Sequence, residues 1–152
     1  MIEEKLKQLG IELPTPPKPA GSYIPVVVSG NLIFVSGQIP MEDGKLKYQG
    51  KVESDQSIEN AQNAARMCIV NGLAQIKTYF GTLDNVHKIV RISGFVNSNE
   101  NFIEQPRVIN AASDLLVDIF GEKGKHSRIA IGVSSLPLNA TVEIDMIVES
   151  SN

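Results

Sequence analysis

Ser127-Arg128-Ile129-Ala130-Ile131-Gly132-Val133, followed after Leu136-Pro137-Leu138-Asn139 by Val142-Glu143-Ile144-Asp145-Met146-Ile147-Val148-Glu149, is the stretch that decides the fold class. Both runs alternate with a period of two, the pattern of strands whose two faces differ. The Leu-Pro-Leu-Asn segment predicts a short turn joining them as a hairpin. Ile129, Ile131 and Val133 are expected on one face, with Val142, Ile144, Met146 and Val148, as the core face. Arg128 and Ala130, with Glu143 and Asp145, are expected on the other. A face that merely met water would carry several charges and threonines. A guanidinium and a carboxylate among small residues predict a selective surface.

Upstream, Pro106–Phe120 predicts a helix ended by Gly121, with Val108, Ala111, Ala112, Leu115, Leu116 and Ile119 as its apolar side. Ser98–Gln105 is a polar loop and Val86–Val96 a strand. A longer helix runs from an N-cap at Ser57 to about Phe80, closed by Gly81. Its stripe of Ile58, Ala61, Ala65, Cys68, Gly72, Ile76 and Tyr79 is rich in small residues, which lets a helix lie close on a sheet. Cys68 on that stripe reads as a core thiol. Ile24–Val28 and Leu32–Ser36 are strands around a Ser29-Gly30-Asn31 turn, and Lys45–Val52 is a weak edge strand. Residues 1–19 form a short helix and an arm with four prolines between Leu13 and Pro19; residues 20–152 form one domain.

The order β-β-(β)-α-β-α-β-β predicts an α+β fold, a mixed sheet with both helices on one face. The other face then has no cover within the chain, and Ile89, Phe95 and Ile147 are expected in the open there. A second copy of the chain is the expected cover, so the reading predicts a symmetric oligomer.

Composition narrows the function. The 152 residues carry a net charge of −3, no tryptophan and 5% aromatics, which gives nucleic acid neither a basic patch nor a stacking platform. A single cysteine suits a reducing compartment. The first residues lack the cationic and apolar regions of a secretory leader, and no apolar run approaches the roughly 18 residues of a membrane span. The expectation is a cytoplasmic protein with no nucleic-acid or membrane partner. His87 and His126 are far apart in the sequence and the chain has one cysteine, so no metal and no cofactor is expected, and His126 reads as a surface-loop residue. Neither G-x-S-x-G nor G-x-G-x-x-G occurs.

Four pieces together resemble the Rid/YjgF family, whose best-known members are enamine/imine deaminases. They are Gly21-Ser22-Tyr23 after the proline arm, Gly30-Asn31-Leu32-Ile33-Phe34-Val35-Ser36-Gly37-Gln38-Ile39-Pro40, Phe95-Val96 with Asn101-Phe102, and Arg128 through Leu136-Pro137 to Val142-Glu143-Ile144. The resemblance implies a chorismate-mutase-like α+β fold assembled as a homotrimer, with clefts between subunits. It implies that Arg128 binds a substrate carboxylate and that Glu143 handles water and protons. Tyr23, Ser36, Gly37 and Ala130 would line the same cleft. The implied ligand is a small 2-imino or 2-oxo carboxylate, and the implied reaction is hydrolytic deamination without a cofactor. An arginine suits the first role because its planar fork matches a carboxylate.

The chain departs from the family pattern in places. Ala130 stands where many deaminases have cysteine, Ser98 where aspartate is frequent, and the Ser98–Asn110 segment is longer than in compact members. Other readings stay open from the residues alone. Arg128 and Glu143 could form a structural ion pair, Tyr23 could be an interface aromatic, Ser36 could matter only through its backbone, and Asn110 could brace the second helix. A carboxylate-binding or regulatory trimer without turnover is the alternative function. Endoribonuclease, a label attached to some relatives, sits poorly with the acidic charge.

Overall fold

How close the helices lie to the sheet follows from alanine and glycine at the contact. In the computed structural model, which describes residues 1–19 and 21–151, helix α2 (Ile58–Phe80) buries Ala61, Ala64, Ala65, Cys68 and Gly72. A Cβ on Gly72 would stand 2.5 Å from the Met146 methyl. The Ser57 hydroxyl accepts from the Asn60 N–H at 3.0 Å, and Gly81 ends the helix in the left-handed region at φ 80°. Tyr79, expected on the buried stripe, is instead exposed, its ring edge-on to Phe80 at the end of the helix.

The remaining elements are α1 (Ile2–Gln8), β1 (Val26–Ser29), β2 (Leu32–Gln38), a two-residue ladder of β3 (Met41–Glu42) with β4 (Lys45–Leu46), β5 (Val86–Asn97), α3 (Gln105–Phe120), β6 (Ser127–Val133) and β7 (Val142–Ser150). The expected strand over Lys45–Val52 is thus reduced to β4, which pairs outside the main sheet. Leu6 of α1 is buried in the common core, and the Glu3 carboxylate accepts from the Leu83 N–H at 3.2 Å.

The main sheet has the order β1-β2-β7-β5-β6, with β5 and β6 parallel and the other pairs antiparallel. Both α2 and α3 pack on one face of it, so the α+β class and the layering agree with the expectation. The closing hairpin does not form. β5 lies between β6 and β7, and the chain crosses its end through the turn at Pro137–Asn139. Leu138 and Asn139 take positive φ there, at 56° and 61°.

The face assignment is right for β7 and reversed for β6. Val142, Ile144, Met146 and Val148 are buried under the helices. Ile129 and Ile131 point away from them and are exposed, while Arg128 and Ala130 lie on the helix side, in register with Ile92 and Gly94 of β5. The reason is the nearness of α3. A Cβ on Gly94 would come within 2.6 Å of Ile109, and one on Gly132 within 2.8 Å of Gln105. Only small or edge-reaching side chains fit under α3, so the isoleucines take the open face.

Ile89, expected in the open, is fully buried. A bulge between Ile89 and Arg91 inserts Val90 into β5, shifting the alternation so that Ile89 and Ile92 both face the core. Phe95 and Ile147 lie on the open face, half-buried.

Candidate functional site

A second bulge shapes one half of the site. Between Val35 and Gln38 the β2 register slips, so that Ser36 and Gly37 together oppose β7 near Asp145. Gly37 is open to the Glu143 side chain: a Cβ there would overlap its carboxylate, reaching within 3.1 Å of the carboxyl carbon. Ser36 donates its hydroxyl to the Ile24 carbonyl and its N–H to the Pro25 carbonyl, each at 2.9 Å. These two bonds tie the segment carrying Tyr23 to the bulge. Tyr23 itself is exposed. Glu143 sits on the open face opposite Phe95, two residues from Asp145. Burial first, and the Asp145 charge second, raise the Glu143 carboxyl above the ordinary carboxylate range. A carboxyl so raised is better matched to proton transfer near neutral pH than an ordinary glutamate.

The other half lies on the opposite face and at the far edge of the sheet. Arg128 of β6 reaches over to α3, where Nη1 donates to Ser113 Oγ at 3.0 Å and Nη2 to Asn110 Oδ1 at 2.7 Å. The Pro106 carbonyl is a longer third acceptor at 3.5 Å. Asn110 and Ser113 are three residues apart and therefore share one side of α3. A guanidinium has five N–H donors, so these contacts hold Arg128 and still leave part of its fork free. Ala130 is half-buried on the same side, packed against the core.

Gly37 and Glu143 therefore meet on one face beside Ser36, with Tyr23 in the segment that Ser36 ties down, while Arg128 and Ala130 lie on the other face of the sheet. The structural ion pair of Arg128 with Glu143 is overturned: the two side chains leave opposite faces, and Arg128 makes no ion pair among the described residues. His126 lies in the loop before β6 as expected, but not as a free surface side chain. It is half-buried, and its Nε2 lies 2.9 Å from Ser113 Oγ. Ser113 went unnoticed in the sequence. The available signal was the pair Asn110 and Ser113, polar residues at helical spacing beside the apolar side of α3.

Cys68 is fully buried, with Sγ 3.6 Å from the Val142 carbonyl, and burial pushes its pKa up. That matches a core thiol. Among the described residues no group of His, Cys, Asp and Glu is arranged to hold a metal ion, and no helix is long and apolar enough to cross a membrane.

The family model described as YjgF/chorismate mutase-like, with a provisional endoribonuclease label, matches residues 3–150. The chain belongs to this family. The solved structure of Atu1372 from Agrobacterium tumefaciens, a protein of unknown function, is 47% identical; the match covers 99% of this chain and 92% of that one, with a TM-score of 0.93. Protein TCP17 of Trypanosoma cruzi is 40% identical over 152 residues, 99% of this chain and 95% of that protein. A 2-iminobutanoate/2-iminopropanoate deaminase of Dermatophagoides farinae is 28% identical, across 91% of this chain and 93% of its own length.

In this YjgF-like chain two hollows lie away from both half-sites. One, of about 780 Å³, lies between α1 and the end of α3. The other, of about 700 Å³, is lined by Lys51, Ser98, Phe102, Gln105 and Gly132. Neither is lined by Arg128 or Glu143.

Proposed function

We propose that the protein catalyses hydrolytic deamination of reactive 2-imino and enamine acids to 2-oxo acids and ammonia, at clefts between the subunits of a cytoplasmic homotrimer. The observation that carries the reading is the division of the site into two prepared halves. A braced guanidinium at the β6 edge is suited to a carboxylate, and a half-buried carboxyl with a raised pKa stands beside a bulge on the opposite face. One subunit cannot bring them to one ligand. The open face of one copy set against the β6 edge of the next would do so. The deaminase named among its relatives supports the same reaction.

The chemistry needs little more. Arg128 takes the substrate carboxylate on its fork and fixes the orientation of the C=N bond. Glu143 of the adjoining copy deprotonates a water as it adds to the imine carbon, while the imine nitrogen gains a proton. The carbinolamine then collapses: Glu143 returns its proton to the nitrogen, the C–N bond breaks and ammonia leaves, and the hydroxyl proton passes to solvent as the carbonyl of the 2-oxo acid forms, balancing the solvent proton that the imine nitrogen took up. Tyr23 and the Ser36-Gly37 backbone close the cleft around the substrate side chain.

The second reading is a trimer that binds a small carboxylate without turnover. Ala130, where many deaminases carry cysteine, favours it. Release of 2-oxo acid from freshly generated 2-aminoacrylate, with and without the protein, separates the two. Acceleration that scales with protein concentration is expected. A release rate unchanged by the protein, with 2-oxobutyrate still bound in a calorimetric titration, would leave the binding reading.

A further inference from the structure

The Ser113 hydroxyl that holds Arg128 is itself held, by a residue that the proposed reaction does not use. His126 Nδ1 lies 2.6 Å from the Gly124 carbonyl oxygen, and Nε2 lies 2.9 Å from Ser113 Oγ. A carbonyl oxygen can only accept, so Nδ1 carries the hydrogen. In the neutral ring Nε2 is then a bare acceptor, and the Ser113 hydroxyl donates to it. With its hydrogen directed at the imidazole, Oγ presents a lone pair to Arg128 Nη1, 3.0 Å away. The polarity of the whole chain follows from its far end: Arg128 donates to Ser113, Ser113 to His126, and His126 to Gly124.

That far end is rigid. Gly124 closes the single 3₁₀ turn Gly121–Gly124 and is buried, so tightly set that a Cβ would overlap the Leu116 carbonyl of α3. The acceptor that fixes the tautomer is thus anchored to the same helix that carries Ser113 and Asn110. Without the imidazole, a serine hydroxyl within a helix rotates freely and donates to the carbonyl one turn back, in competition with its other bonds.

We propose that His126 is a positioning residue for carboxylate binding, which acts through Ser113 to hold the Arg128 guanidinium in one orientation. The proposal rests on the reading of Arg128 as the carboxylate-binding residue. It assigns His126 and Ser113 no contact with the ligand. Their effect is preorganisation: a long, flexible side chain is ordered before the ligand arrives rather than on its arrival.

The test is a calorimetric titration of 2-oxobutyrate into the wild-type protein and five variants, joined to nitrogen-15 NMR of the His126 ring. The ring should show a protonated Nδ1 and a bare Nε2, the tautomer that a free imidazole disfavours. Ser113→Ala and His126→Phe should each weaken binding by about 3- to 10-fold, the worth of one neutral hydrogen bond. The double variant should bind no more weakly than either single one, because His126 works through Ser113. His126→Gln, whose amide oxygen can replace Nε2 as acceptor, should recover part of the loss. Arg128→Ala should lose more than any of them. Unchanged affinity in Ser113→Ala and His126→Phe beside a large loss in Arg128→Ala would overturn this proposal and spare the site. Additive losses in the double variant, or a protonated Nε2, would also overturn it. Undiminished affinity in Arg128→Ala would remove both. If His126→Phe does not fold, Ser113→Ala and the ring tautomer decide.

Discussion

At the scale of single residues, the roles proposed for Arg128 and Glu143 can be tested apart, because the two stand on opposite faces of the sheet. Replacing Arg128 by alanine removes a charge-assisted contact, which contributes roughly 1.5–3 kcal/mol. Binding of 2-oxobutyrate should weaken by about 10- to 100-fold in calorimetry, and Arg128→Lys should recover only part because an ammonium has no fork. Glu143 makes a prediction about pH. Its raised pKa means that the folded protein favours the protonated carboxyl. The stability tied to that proton is fully present below the ordinary carboxylate range and is lost as pH rises through the raised value. Glu143→Gln, neutral throughout, should melt above wild type near about pH 8, and the gap should close near about pH 4. A gap that does not depend on pH would refute burial as the cause. Gly37→Ala is the complementary variant. Its backbone is not in the left-handed region, and the new methyl meets only the flexible end of Glu143. It should displace the carboxylate, cutting turnover by at least about 10-fold with little change in melting temperature. Both charged residues stood out in the sequence as candidates for the site. Their supports, Ser113 and His126, did not: the spacing of Asn110 and Ser113 marks one side of α3, but the partners of Ser113 lie on β6 and just before it, beyond the reach of a local pattern.

Elements were legible where their signals are local. Both long helices were found to within a residue or two, since caps and the 3.6-residue period are written along the segment itself. Ser57 illustrates this: Ser57→Ala should cost about 1 kcal/mol, and about 2–4 °C in melting temperature, by removing the bond to the Asn60 N–H. Strands were harder. A period of two states that Ile129 and Arg128 oppose each other, but not which of them faces the core. That choice is made by α3, which leaves no room for an isoleucine beside Gly94 and Gly132. Ala130 and Gly132 were the clue, as small residues need a reason in a strand. Pairing failed for a related cause. β6 and β7 are consecutive, yet β5 takes the place between them, which short-range reading cannot anticipate. The bulges at Val90 and at Ser36-Gly37 break the alternation, and the second of them is where the candidate site is built.

For the whole molecule the open face is the feature to be explained. Val27, Phe34, Ile129 and Ile131 are 37–47% exposed on it, with Phe95 and Ile147 half-buried between them. An apolar sheet face of this kind calls for a cover. Packing two copies face to face about a two-fold axis would bury these residues, but it would leave every Arg128 on the outer, helical side, remote from any Glu143. A heterologous contact, with the β6 edge of one copy on the open face of the next, brings the two groups together and also covers an unpaired edge strand. Such contacts give a ring where the rotation between copies closes, and the proposed assembly is a ring of three. Sedimentation equilibrium should therefore give about three times the 16.5 kDa chain mass. Ile131→Asp, at the edge strand on the open face, places a charge in that contact while leaving the helix side of β6 untouched. It should yield a folded monomer without the proposed deaminase activity, with Arg128 and Glu143 both intact. A wild-type monomer at micromolar concentration would remove the cleft between subunits, and an active Ile131→Asp monomer would show that one subunit holds a complete site; either result overturns the assembly argued from the opposite faces of Arg128 and Glu143.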